Sequence, residues 1–227
     1  MTAPSPNAPT NSLSSDEAAL CRAMIDTQLR PNGVTNGALI GAIAATPRGD
    51  FVDADQLSAA YSDRAVPLAG GRAINPVLTT ARLLQAADIS GGEQVLLVGG
   101  ASGYCAALLR AMGATVTMVE CDGALAARAA KALGDAMQII TGPLADGPGE
   151  SAPFDRLVID GAIEAVPATL SDQLRPGGIA VMALRNGAVT RLARAVKSAN
   201  AIIAPIAFAE LEAVSLPGFA PVPSFAF

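Results

Sequence analysis

With 227 residues, 51% of them apolar and 15% charged, the chain is long enough to bury a core and too apolar to stay disordered. The net charge of −5 comes without a basic stripe, which excludes a duplex nucleic-acid partner. No apolar run approaches the ~18 uninterrupted residues of a membrane span, so no membrane partner is expected.

The chain has no histidine, which removes the Ser-His and Cys-His nucleophile schemes and most zinc catalysis. Cys21, Cys105 and Cys121 lie far apart with no C-x-x-C pair, so neither a disulfide framework nor a metal site is suggested. A reducing, cytoplasmic setting is the expectation.

The opening stretch "MTAPSPNAPTNSLSS" has neither a basic region nor an apolar core, and residues 1–13 are expected to be a disordered tail. Ser14, three residues before Glu17, makes a capping box for a helix through about Leu29. "TNGALIGAIAATP" reads as a second helix ended by Pro47, and "DADQLSAAY" as a third. "VPLAGGRAINP" is rich in Gly and Pro, hence a loop, with Asn75 and Pro76 as N-cap and first residue of a helix over "VLTTARLLQAA".

From Glu93 the rhythm alternates. "QVLLVG", "TVTMVE", "MQIITG", "FDRLVIDG" and "GIAVMAL" read as strands; "SGYCAALLRAMG", "DGALAARAAKALG" and "PATLSDQL" read as the helices between them. Continuous apolar strands separated by helices give a parallel sheet covered on both faces. "AVTRLARAV" and "AIIAPIAFAEL" are expected as two closing antiparallel strands, the first of which fits a helix equally well. The expected fold class is α/β: a Rossmann-like, mostly parallel seven-stranded sheet with an N-terminal helical cap. Residues 14–227 are read as one domain, with cap and substrate loop over 14–92 and the cofactor-binding sheet over 93–227.

In such sheets ligands bind beyond the carboxyl ends of the strands, at the switch point. The best candidate is the strand–loop–helix "VLLVGGASGYCAALL". Gly99, Gly100 and Gly103 let the main chain approach a ligand, with Ser102 beside them. Glu120 ends the next strand 21 residues past Gly99, where a carboxylate can accept both hydroxyls of a ribose. Neither Tyr61 nor Tyr104 has a lysine four residues on, which argues against short-chain hydride transfer, and the loop lacks the GK[ST] of a P-loop. The long helical cap and the antiparallel close suit a class I methyltransferase using S-adenosylmethionine.

The pieces "MIDTQLRPNGV", "ATPRGDFV", "AAYSDRAVPL", "LLVGGASGYCAALL", "VTMVE", "APFDRLVIDGA" and "VPATLSDQLRPGGIAVMAL", in this order, resemble the protein-L-isoaspartate O-methyltransferase family. The resemblance implies a methyltransferase fold, S-adenosylmethionine as donor, and an isoaspartyl carboxylate in damaged protein or peptide as acceptor. Gly99, Gly103 and Glu120 match the family's pattern; the expected cofactor contacts are Gly99, Gly100, Ser102, Gly103 and Glu120, with Leu144 a poorer candidate at the adenine. A carboxylate acceptor is itself the nucleophile and the departing thioether needs no proton, so positioning and desolvation matter more than acid–base groups.

The chain departs from the family in several places. Leu97 stands where the family tends to have an acid, the loss of one charge-assisted hydrogen bond, worth roughly 1.5–3 kcal/mol. Pro143 replaces an acid near the adenine. The substrate loop "GGRAINP" is one residue shorter than the family's "GQTISQP", and Ile74 falls at or beside its serine. Thr79 and Thr80 are read as ordinary helix residues. Asn75 and Asp160 are the catalytic candidates, and Asp160 with Glu164 would repel an acceptor carboxylate by about 1 kcal/mol if solvated. Phe219, Phe225 and Phe227 are expected to cover the sheet edge or the cleft, with a dimer contact as the alternative. Two alternatives stay open: a family member that has lost catalysis and senses a ligand or binds a partner, and a methyltransferase for another acceptor with Asp160 or Glu164 as base.

Overall fold

The computed structural model describes residues 15–134, 137–199 and 204–219. The expectations on residues 1–13, on Ser14 and on Phe225 and Phe227 lie outside them.

Helix α1 (Ser15–Met24) continues into a wider π-helical turn over Ile25–Leu29, so the helix ends where its apolar positions end. Helix α2 (Gly37–Ala45) starts at Asn36, whose side chain accepts from the Leu39 N–H at 3.0 Å, and stops before Pro47. The third expected helix is a 3-10 segment, Ala54–Ala59. The expected loop "VPLAGGRAINP" contains a small antiparallel hairpin of β1 (Val66–Pro67) and β2 (Ala73–Ile74), reversed through Gly70 and Gly71 at φ 70 and 73°. A ribbon of two residue pairs leaves no periodic signal in a sequence.

Helix α3 (Val77–Ala87) follows, with Pro76 as its N-cap and no side-chain cap. Asn75 is therefore not the cap that its place before a proline suggests. Pro76 takes that position, and the amide of Asn75 is spent elsewhere.

Then come β3 (Gln94–Val98), α4 (Tyr104–Ala111), β4 (Thr115–Glu120), α5 (Gly123–Leu133), β5 (Gln138–Thr141), β6 (Phe154–Ile163), α6 (Ala168–Asp172), β7 (Leu174–Asn186), β8 (Val189–Val196) and β9 (Ile206–Glu210). Gly187, at φ 61° in a two-residue turn, pairs β8 back onto β7 and decides the strand over the helix for "AVTRLARAV".

The seven strands lie in the order β5-β4-β3-β6-β7-β8-β9, with β8 and β9 antiparallel to their neighbours and the rest parallel. The chain leaves β3 toward β5 and returns on the other side to β6. The switch point thus lies at the carboxyl ends of β3 and β6.

Alternation along β3 splits the core. Val95 and Leu97 face a cluster shared with the cap helices, α3 and α4, whereas Leu96 and Val98 face Val119, Ile159 and Leu170. Leu97 is fully buried in the first cluster. Among the described residues no helix is long and apolar enough to cross a membrane.

The register of β6 on β7 slips between Val158–Val181 and Ala162–Ala183, a bulge that turns Asp160 out of the regular pleat. At the other end of β6, Arg156 donates to the Ala87 and Asp88 carbonyls at 2.7 and 3.0 Å and pairs with Glu93 at 2.8 Å. It satisfies the last carbonyls of α3 with a cation, which the helix dipole favours. Arg156→Met, which orphans those carbonyls and the Glu93 carboxylate, is expected to cost about 3 kcal/mol in urea unfolding; a loss below about 1 kcal/mol would place the weight of this junction on apolar packing instead.

Candidate active site at the strand switch point

The turn after β3 is tight enough that Gly99, Ala101 and Gly103 all have positive φ, at 79, 49 and 100°. Ala101 holds the left-handed conformation without being glycine, at a cost of roughly 1–2 kcal/mol. Its N–H donates to Glu120 Oε2 at 2.8 Å, the bond that keeps the turn in place.

The other glycines are required by packing. A Cβ on Gly100 would lie 2.7 Å from Met118 Sδ, and one on Gly103 3.1 Å from the Ala129 Cβ of α5. Ser102 is fully buried, and its hydroxyl donates to the Phe51 carbonyl at 2.5 Å, tying cap to loop.

Glu120, at the end of β4, is also fully buried. Oε1 accepts from the Cys121 and Asp122 N–H groups at 2.9 and 3.1 Å. Oε2 accepts from Ala101 and, at 3.0 Å, from the Arg72 guanidinium on the hairpin. Glycine turn and strand-end acid thus meet as the sequence suggests, joined by an arginine that sequence reasoning missed.

Across the switch point, Asn75 links three segments. Its Nδ2 donates to the carbonyl and Oδ1 of Asp160 at 2.8 and 2.9 Å, and its Oδ1 accepts from the Val214 N–H at 2.7 Å. Its own carbonyl accepts from Arg48 Nη2 at 2.6 Å. Arg48 is fully buried, with its guanidinium 4.6 Å from the Tyr104 ring centroid, a cation over an aromatic face. Burial holds the Arg48 guanidinium below its usual range and pushes the Tyr104 hydroxyl up to about 12.

Thr80 Oγ1 donates to Asp160 Oδ1 at 3.0 Å, and Thr79 Oγ1 to the Glu212 carbonyl at 2.6 Å. Neither threonine is an ordinary helix residue. Thr80 supplies, from α3, the hydroxyl that Ile74 does not. Burial pushes the Asp160 carboxyl above its usual range against the lowering effect of these donors. Glu164, by contrast, bonds Arg185 at 2.9 Å, which holds its carboxyl below the usual range and neutralises its charge beside the cleft.

Residues 212–216 cross the mouth of the switch point as a strap. The Ala162 N–H donates to the Val214 carbonyl at 2.7 Å, the Leu216 N–H to the Ala162 carbonyl at 3.0 Å, and Arg185 bonds the Ser215 hydroxyl. Leu216 sits against both strand ends: Cβ atoms on Gly99 and Gly161 would lie 2.7 and 2.6 Å from its side chain. Phe219 is buried beside it, in the cluster that also holds Leu144, which is only 2% exposed.

The turn that follows Gly99 is thus held against the strand-end acid Glu120 through the Ala101 N–H, while the Gly99 N–H itself donates to the Val119 carbonyl at 3.0 Å. Arg72 and Leu216 close this frame of turn and acid in this conformation. The acceptor side gathers Asn75, Thr80 and Asp160 beside Val214.

Asp160 yields a stability expectation. A carboxyl raised by folding contributes stability below its ordinary 3.8 and loses it as the pH rises through the folded value. Asp160→Asn, which keeps an acceptor oxygen for Asn75 and Thr80, should be more stable than the parent at neutral pH, with the gap narrowing toward pH 3.8. Urea unfolding across that range checks it, and a gap that widens on acidification contradicts it.

Comparison with known proteins agrees with this frame. Residues 21–216 match the family model for Protein-L-isoaspartate(D-aspartate) O-methyltransferase (PCMT). The chain is 40% identical over 165 residues to the protein-L-isoaspartate O-methyltransferase of Koribacter versatilis, 70% of this chain and 74% of that one. It is 38% identical over 165 residues to that of Methylorubrum populi, 71% of this chain and 77% of the relative. Among solved structures, a protein-L-isoaspartate O-methyltransferase matches with a TM-score of 0.75 at 20% identity, over 89% of this chain but only 66% of that longer one. A Plasmodium falciparum structure described as a putative protein-L-isoaspartate O-methyltransferase, in complex with S-adenosyl-L-homocysteine, matches at 0.71 with 18% identity, over 88% of this chain and 97% of that one. At these identities the solved structures speak to the fold, a seven-stranded methyltransferase sheet, and the sequence matches speak to kinship: the chain belongs to the protein-L-isoaspartate O-methyltransferase family.

Proposed function

We propose that the chain transfers a methyl group from S-adenosylmethionine to the free carboxylate of an isoaspartyl residue in damaged protein. The observation that carries the reading is the meeting of the Gly99 turn with the Glu120 carboxylate at the switch point, in a chain of this family. The cofactor supplies an activated methyl on a sulfonium. The chain's own residues would bind and orient it and keep water out: the Gly99 turn would hold the amino-acid tail, and Glu120 would accept the ribose hydroxyls.

On the acceptor side the pairing of Glu164 with Arg185, and the Asn75 and Thr80 donors on Asp160, limit the repulsion that two free carboxylates would impose on an acidic substrate. One apolar cluster from Cys21 to Leu192 joins the described cap residues to the described sheet residues, which supports reading cap, acceptor loop and donor sheet as a single domain. Three unpaired thiols accord with a cytoplasmic setting.

The raised Asp160 also favours a second reading, in which it takes a proton from a neutral hydroxyl or amine acceptor. A labelled-methyl assay separates the two. On the first reading, an isoaspartyl peptide gains base-labile methyl ester, its aspartyl twin does not, and Asp160→Asn retains most of the activity. No ester on the isoaspartyl peptide from protein that binds the donor would contradict that reading. Turnover of another acceptor, abolished in Asp160→Asn, would establish the second.

A further inference from the structure

The proposed donor site has a feature that its role does not require. A carboxylate offers about four lone-pair positions. All of those on Glu120 are taken: three by the main-chain N–H groups of Ala101, Cys121 and Asp122 and the fourth by Arg72, with the Cys121 thiol also reaching Oε1 at 3.4 Å. With nothing left for a ribose diol, one donor has to leave before a nucleoside can bind.

The main-chain donors are fixed. The Ala101 N–H is set by the glycine turn, and those of Cys121 and Asp122 lie where β4 passes into α5. There Asp122 is the N-cap, accepting from the Ala124 and Leu125 N–H groups at 2.9 and 3.1 Å. Among the described residues Arg72 is the only donor to Glu120 on a long side chain, and the worst satisfied. It is 7% exposed, its Nε is buried without a partner, and its Nη1 reaches only Cys121 Sγ at 3.8 Å. A guanidinium has five N–H donors, and a buried one that leaves part of them unmet is held at a cost. Arg72 also sits on a light element, the two-pair hairpin with a Gly70–Gly71 turn. The Asp122 carboxylate, whose Oδ2 lies 2.4 Å from where a Cβ on Gly70 would be, offers the released cation a partner.

We propose that Arg72 is the residue that sets cofactor affinity: its guanidinium competes with the ligand's sugar diol for Glu120, and binding exchanges the ion pair for the diol. The proposal rests on the methyltransferase reading above. Arg72 touches neither the methyl group nor the acceptor; it acts through Glu120.

Calorimetric titration of S-adenosylhomocysteine into the 227-residue chain tests this, with Arg72→Gln, Arg72→Lys, Glu120→Gln and the double variant Arg72→Gln/Glu120→Gln. Arg72→Gln should bind about 10- to 100-fold more tightly than the parent, the worth of one charge-assisted hydrogen bond no longer competed for. Arg72→Lys, which keeps a charge but not the fork, should fall between. Glu120→Gln should weaken binding more in the Arg72→Gln background than in the parent, a coupling that a purely structural arginine would not produce. Thermal melts confirm that each variant is folded, and the Lys variant covers the case in which Gln is not. Unchanged or weaker binding by folded Arg72 variants overturns the role of Arg72 and leaves the methyltransferase reading standing. Absence of binding by the parent and every variant overturns both.

Discussion

A carboxylate with no solvent contact has to be enclosed by donors, and those around Glu120 are drawn from three parts of the chain: the turn after β3, the junction of β4 with α5, and the hairpin of the cap. This one group holds the switch point together. Its bond to the Ala101 N–H stabilises a left-handed alanine in a place where glycine would cost nothing. Its pair with Arg72 fastens the cap to the sheet. The group proposed to hold a ligand's sugar is therefore also the group that closes the site.

The acceptor side is built on a similar economy. Asn75 uses both ends of its amide to join the hairpin, the bulged end of β6 and the C-terminal strap. The bulge between Val158 and Ala162 turns Asp160 toward that amide, and Thr80 completes the set from α3. A shortened loop without a serine thus still presents an amide and a hydroxyl at this place, because the neighbouring helix contributes what the loop lacks. Leu216 packs between Gly99 and Gly161, against both strand ends.

The fold was legible where periodicity carries the information. Apolar strands with helices between them predicted the parallel sheet, and closing strands after Leu184 were expected from the change of rhythm. Short elements were not legible: two residue pairs of hairpin and a 3-10 segment have no period to read. The ambiguity of "AVTRLARAV" was settled by Gly187, a turn residue outside the segment itself.

At the site, Glu120 could be named because its place at a strand end follows from local order. Arg72 could not, since nothing in "GGRAINP" says that its arginine folds back onto a residue 48 positions away. Asn75 was misread as a cap because Asn before Pro is a strong local signal. The tertiary hydrogen bonds to Asp160 and Val214 won, and Pro76 took the cap position without a side-chain bond. Thr80 was passed over for a similar reason: one threonine in a helix looks like any other until the strand it faces is known.

The most direct measurement is a crystal structure of the chain with S-adenosylhomocysteine bound. The account predicts both ribose hydroxyls on the Glu120 carboxylate, the Ala101 turn unchanged, and the Arg72 guanidinium withdrawn from Glu120. A ligand seated elsewhere, or one seated in the crevice while Arg72 still holds Glu120, would contradict it.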